Sequence, residues 1–99
     1  MITIERGTDF IKMRGHANYA PIGQDIVCAG VSVLIQTLIQ SIETLTTDEI
    51  EYNMQPGTVD IKIRCLSDLT RVLIDAFFIG VEGIAESYPD NVKINSGMR

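Results

Sequence analysis

Tryptophan is absent, histidine occurs once (His16) and cysteine twice (Cys28 and Cys65) in 99 residues. Two cysteines far apart in sequence do not make the disulfide framework that holds small secreted domains together, so both thiols are expected to be reduced, as in a cytoplasm. With no CxxC or HxxxH pair, a structural zinc would lack a fourth ligand, and neither a metal nor another cofactor is expected. Basic residues are also scarce, 8 against 13 acidic, for a formal net charge of -5. Nucleic-acid binding rests on clustered Lys and Arg that neutralise phosphates, so that ligand class is not expected. No basic segment precedes an apolar run at the N-terminus, and the longest uncharged stretch, residues 26–42, is interrupted by Ser32, Gln36, Thr37, Gln40 and Ser41. It falls short of the roughly 20 mostly apolar residues that a bilayer requires, so neither a signal peptide nor a membrane partner is expected.

What is present alternates between two periods. Ile2 and Ile4 alternate with Thr3 and Glu5, Gly7 and Asp9 signal a turn, and Phe10, Ile11 and Met13 read as the returning strand of a hairpin. Val27, Val31, Leu34, Leu38, Ile42 and Leu45 follow helical spacing, which predicts a helix over 25–45 with Asp25 placed to cap it. Residues 49–53 read as a strand, Pro56 and Gly57 as a turn, and Val59, Ile61, Ile63 and Cys65 as one face of the next strand. Ser67 or Asp68 can cap a second helix with a stripe of Leu69, Val72, Leu73, Ala76, Gly80 and Ile84, ended by Pro89. A short strand over 92–94 precedes a tail, residues 95–99, expected to be frayed.

The expected fold is α+β, one domain over 1–99, in the order ββαββαβ. It is a two-layer sandwich, a mostly antiparallel sheet with two helices on one face. A chain this short has no third layer to cover the opposite face. With 45% hydrophobic residues, part of that face is expected to be apolar and to be buried in a homodimer.

The unusual residues concentrate between positions 15 and 32. His16 follows the second strand and Cys28 falls in the first turn of the first helix, where the helix dipole and unpaired N–H groups favour thiolate. An imidazole within reach can take the thiol proton and return it to a leaving amine, the division of labour of nucleophilic acyl transfer. The plainer alternative is a buried helix cysteine and a surface histidine. Cys65, on the apolar face of a strand, reads as an inert core thiol. Between His16 and Cys28, Ala17, Asn18, Tyr19, Ala20, Pro21, Ile22 and Gly23 form a loop with glycines at its ends, either a lid over a site or an ordinary connection. Asp25 is explained as the helix cap, with orientation of His16 as a second role open to it. Ser32, one turn beyond Cys28, can approach the thiol or bond back to the helix. No Lys or Arg occurs between Gly15 and Ile61, while Asp25, Glu43, Asp48, Glu49, Glu51 and Asp60 are acidic. Such a surround favours a basic substrate segment, although a solvated acidic surface is the more common fate of such residues.

The run GHANYAPIGQDIVCAGVS resembles the signature of the ribosomal-processing cysteine protease family (Prp), in which GHA is followed by a loop, a Gly, and DIVCA before VS. The resemblance implies that His16 and Cys28 correspond to the family's catalytic dyad, Asp25 to its acidic position and Ser32 to the serine one turn on. Gly30 stands where the family often has alanine. The family implies a cytoplasmic homodimer that removes an N-terminal extension from a large-subunit ribosomal protein precursor, an extension apolar and aromatic near the cut with basic residues around it. Phage-borne relatives, which process capsid protein N-termini, and a non-catalytic module that binds ribosomal protein tails are the alternatives.

Overall fold

In the computed structural model, which describes residues 1–64 and 66–96, alternation becomes five strands and helical spacing two helices. The strands are β1 (Ile2–Arg6), β2 (Phe10–Arg14), β3 (Ile50–Gln55), β4 (Thr58–Ile63) and β5 (Val92–Ser96); the helices are α1 (Ile26–Leu45), between β2 and β3, and α2 (Asp68–Ser87), between β4 and β5. The order is ββαββαβ, as expected. The sheet runs β3-β4-β2-β1-β5, antiparallel throughout except for the parallel β1–β5 pair. Cys65, with its expected place in the core, lies outside the described residues.

Paired positions share a face, so the register sorts the sheet. Ile4 lies opposite Met13 and Met13 opposite Val59, while Ile11 lies opposite Ile61 and Ile2 opposite Val92. All of these are buried beneath the helices. The opposite face carries Glu5 opposite Lys12, Lys12 opposite Asp60 and Thr3 opposite Arg14, with Arg14 and Asp60 paired at 2.8 Å. Cross-strand pairs of unlike charge suit a solvated surface. The expectation of an apolar open face is therefore overturned, because strict alternation sends polar residues there. The surplus apolar surface lies on the helices instead, at Val33, Leu69, Val72 and Ile79, all exposed.

The helices are apolar on more than one side, and spacing alone does not choose which side meets the sheet. On α1 the buried residues are Val27, Val31, Ile35, Leu38, Ile39 and Ile42, whereas Leu45 is exposed. On α2 they are Thr70, Ile74, Phe77, Phe78 and Val81, so the expected stripe through Leu69 and Val72 is corrected by about a third of a turn, with Leu73 and Ile84 still packed against the core. Gly80 lies against Leu34 of α1 and Gly30 against Ile84 of α2, which lets the two helices approach closely. By length and apolarity α1 also meets the criterion of a membrane span, contrary to the count over 26–42. Its inward side is committed to the core of the sandwich.

Two further points depart from expectation. Asn95 and Ser96 of the tail expected to be frayed extend β5 instead, pairing with Glu5 and Arg6, because a parallel neighbour satisfies the backbone of even a polar strand; residues 97–99 of that tail lie outside the described residues. The start of α2 is held from outside the helix. Ser67 is its N-cap, accepting from the Thr70 N–H, and Asp48, just before β3, accepts from the Ser67 N–H and hydroxyl and from the Thr70 hydroxyl. Those donors, Thr70 first, hold the Asp48 carboxyl below its ordinary range. A carboxylate depressed on folding stabilises the protein above the ordinary aspartate range, and the contribution is lost as pH falls through the lowered value. Asp48→Asn is expected to lower the thermal midpoint at pH 7, with the gap from the parent chain closing below about pH 4; a gap independent of pH would refute this origin.

Candidate active site

His16 is placed by the end of β2. The β2–β4 ladder ends with Arg14 opposite Thr58, and a further bond, Gly15 N–H to the Gly57 carbonyl at 2.9 Å, carries it one step on. Gly15 turns the chain at φ 93°, and a Cβ there would collide with the Met1 carbonyl oxygen. On the far side of His16, Ala17 is buried and its carbonyl accepts from the Asn91 side-chain amide at 2.9 Å. The histidine side chain is exposed on a backbone fastened before and after it. Nothing in the sequence pattern points to Asn91 or to the Pro56-Gly57 turn as neighbours of His16, since both lie far along the chain.

Cys28 is placed by the start of α1. Asp25 is the N-cap, and one carboxylate oxygen accepts from the Cys28 N–H at 2.9 Å. The other accepts from the N–H groups of Tyr19 at 3.0 Å and Ala20 at 3.4 Å. The hydrogen bond from Cys28 leads in holding the Asp25 carboxyl below its ordinary range, with desolvation opposing and the Tyr19, Ala20 and Val27 N–H groups adding to it. Asp25 is thus occupied by backbone donors as a cap and loop anchor. Its charge also fills the positive end of the helix, where a lone dipole was expected to act on the Cys28 thiol.

His16, Cys28 and Ser32 line one cleft of about 650 Å³. Asn18, Ala20, Ile22 and Gly23 border it from the loop, and Pro56 from the β3–β4 turn. The loop expected to be a lid is held along much of its length. Ala17 is in the core, Tyr19 packs edge-on against Tyr88 at 5.2 Å, and the Asp25 carboxylate takes two of its N–H groups. Pro21, Ile22 and Gly23 stand away from these anchors, all exposed.

Of the acidic segment only Asp25 lines this cleft, the sole charged residue there among the described residues, and Ile22, Ile26, Ala20, Ala29 and Pro56 make the walls largely apolar. Glu43, Asp48, Glu49 and Glu51 border a different recess, near the C-terminal end of α1, a rod about 30 Å long. The basic-substrate argument from that segment is corrected accordingly, because nearness in sequence along a long helix is distance in space.

An imidazole and a helix-start thiol in the walls of one apolar cleft, on a two-layer α+β frame, define a thiol hydrolase type of site. The family model for cysteine protease Prp matches residues 1–93, and the chain belongs to that family of cysteine proteases. It is 31% identical over 97 residues to the ribosomal processing cysteine protease Prp of Mycoplasma genitalium, covering 96% of this chain and 95% of the relative. It is 30% identical over 91 residues to the Staphylococcus aureus protein of the same name, covering 89% and 85%. The crystal structure of the S. aureus protease with a covalently linked product peptide superposes with a TM-score of 0.92 at 26% identity, over 97% of this chain and 99% of that one.

Because Asp25 holds both the loop and the helix start, Asp25→Ala is expected to increase limited proteolysis within residues 17–24 several-fold while far-ultraviolet circular dichroism stays unchanged. An unaltered cleavage rate there would show that the loop is held by other contacts.

Proposed function

We propose that this chain is a cytoplasmic endopeptidase that removes the N-terminal extension of a large-subunit ribosomal protein precursor, with Cys28 as nucleophile and His16 as general base and acid. The observation that carries the reading is that the single histidine and the helix-start cysteine border one cleft, in a family whose S. aureus member carries a covalently linked product peptide. The largely apolar walls support an apolar segment beside the cut.

In the first step His16 takes the Cys28 thiol proton as sulfur bonds to the scissile carbonyl carbon. Collapse of the tetrahedral intermediate breaks the C–N bond, and His16 returns the proton to the departing amine. Water then attacks the thioester, giving a proton to His16, and the acid product leaves as the thiol is restored. Backbone N–H groups around the start of α1 serve as donors for the developing oxyanion. The Cys28 N–H is bonded to the Asp25 carboxylate and the Ala29 N–H to the Asp25 carbonyl, which leaves Ile26 at the head of α1 and the loop backbone to serve. With the helix terminus already capped by a carboxylate, activation of Cys28 falls to His16. Ser32, half-buried in the same wall, borders the reacting sulfur's side of the cleft. The exposed segment Pro21–Gly23 serves as the moving part of a lid.

The homodimer is proposed on the helices. Leu69, Val72, Ala76 and Ile79 repeat along the side of α2 turned away from the sheet, all exposed, and a second copy covering them removes a continuous apolar stripe from water.

Incubation with a host ribosomal protein precursor is expected to yield, by mass spectrometry, a product shortened at its N-terminus. Cys28→Ser and His16→Ala are each expected to cut the rate at least about a thousandfold with the fold intact; full activity in either variant would reject the dyad. Light scattering is expected to give twice the chain mass, falling to the monomer in Val72→Glu combined with Ile79→Glu. A monomeric parent chain would remove the dimer.

A further inference from the structure

A surface imidazole that shuttles a proton has to be held in one orientation, and a third polar side chain commonly does this. Here the best-placed carboxylate, Asp25, spends its oxygens on backbone N–H groups of Cys28, Tyr19 and Ala20. What lies against the ring is backbone. A Cβ at position 57 would sit 2.9 Å from His16 Nε2, 3.3 Å from Cε1 and 3.5 Å from Cδ2, inside the contact distance that a methyl group needs against a ring. The glycine therefore leaves the space that the Nε2 end of the imidazole occupies.

Three features of this contact act together. Gly57 has φ 75°, in the left-handed region that the turn between β3 and β4 requires, so glycine meets the backbone and the ring demand at once. Its carbonyl accepts from the N–H of Gly15, the residue before His16, so the turn is joined to the backbone that bears the ring. That bond continues the register of β2 on β4, and Pro56 beside it lines the cleft. The turn and the backbone of the histidine thus belong to one hydrogen-bonded piece of sheet.

We propose that Gly57 is a positioning residue for His16, its missing side chain setting the orientation in which the imidazole serves Cys28. The proposal rests on the Cys28–His16 reading above. The residue touches neither substrate nor sulfur; it acts through the ring. Asn is the substitution of choice because it tolerates left-handed backbone while bringing a Cβ, so the turn survives and the ring is displaced.

The test compares the parent chain, Gly57→Asn, Gly57→Ala and His16→Ala. It reads the pH dependence of Cys28 alkylation by iodoacetamide, the kcat and KM for the ribosomal protein precursor, and the thermal midpoint. Gly57→Asn is expected to keep a midpoint near the parent's, to lower kcat at least tenfold with KM little changed, and to move the alkylation profile toward that of His16→Ala. Gly57→Ala is expected to show the same kinetic pattern with a lower midpoint. If His16→Ala leaves the alkylation profile and cleavage as in the parent, the dyad itself fails. If His16→Ala alters both and either folded Gly57 variant retains the parent kcat and profile, the dyad stands and the positioning role is overturned. Loss of folding in both variants would likewise overturn it, since the position would then be required by the turn rather than by the ring.

Discussion

The carboxylate of Asp25 is the joint on which the site depends. By accepting from the Cys28 N–H it fixes where α1 begins, and hence the height at which the cysteine enters the cleft. By accepting from Tyr19 and Ala20 it draws the preceding loop back over that same helix end. One side chain therefore decides both the position of Cys28 and the path of the loop before it. The arrangement has an electrostatic consequence, since a carboxylate at the helix terminus offsets the positive end that would otherwise assist a thiolate. Under the proposed mechanism activation then passes to the imidazole, whose orientation becomes the matter of consequence.

The sheet fastens the backbone that bears that imidazole. Hydrogen bonding between β2 and β4 runs past the last strand pair into the Gly15–Gly57 bond, and Asn91, leading into β5, holds the carbonyl just beyond His16. The histidine is carried by central strands and touched by elements from distant parts of the chain, whereas the cysteine is carried by a helix. The cleft between them is a seam between sheet and helix layers. Its walls are mostly apolar, and its rim includes the exposed Ile22 and Gly23.

Much of this was legible in the sequence. Alternation at Ile2 and Ile4, at Ile11 and Met13, and at Val59, Ile61 and Ile63 marked the buried face correctly, because a strand with one face in the core has no other way to arrange its side chains. His16, Cys28 and Asp25 stood out through rarity, spacing and capping chemistry. What was not legible was anything that needed two distant segments in register. The apolar side of α2 that faces the sheet was misjudged because Leu69 and Val72 are as apolar as the residues that are buried. The acidic run was taken as a local surround because a sequence window ignores the length of a helix. Gly57 read as an ordinary turn glycine, since its contact with His16 exists only once β4 has found β2.

The central claim is that His16 and Cys28 act as one unit across this cleft. Reaction with an apolar peptidyl chloromethyl ketone, followed by intact mass and peptide mapping, tests it most directly. One adduct on Cys28 is predicted, forming at least tenfold more slowly in His16→Ala. Equal rates in the two proteins, or an adduct formed elsewhere in preference to Cys28, would contradict the account.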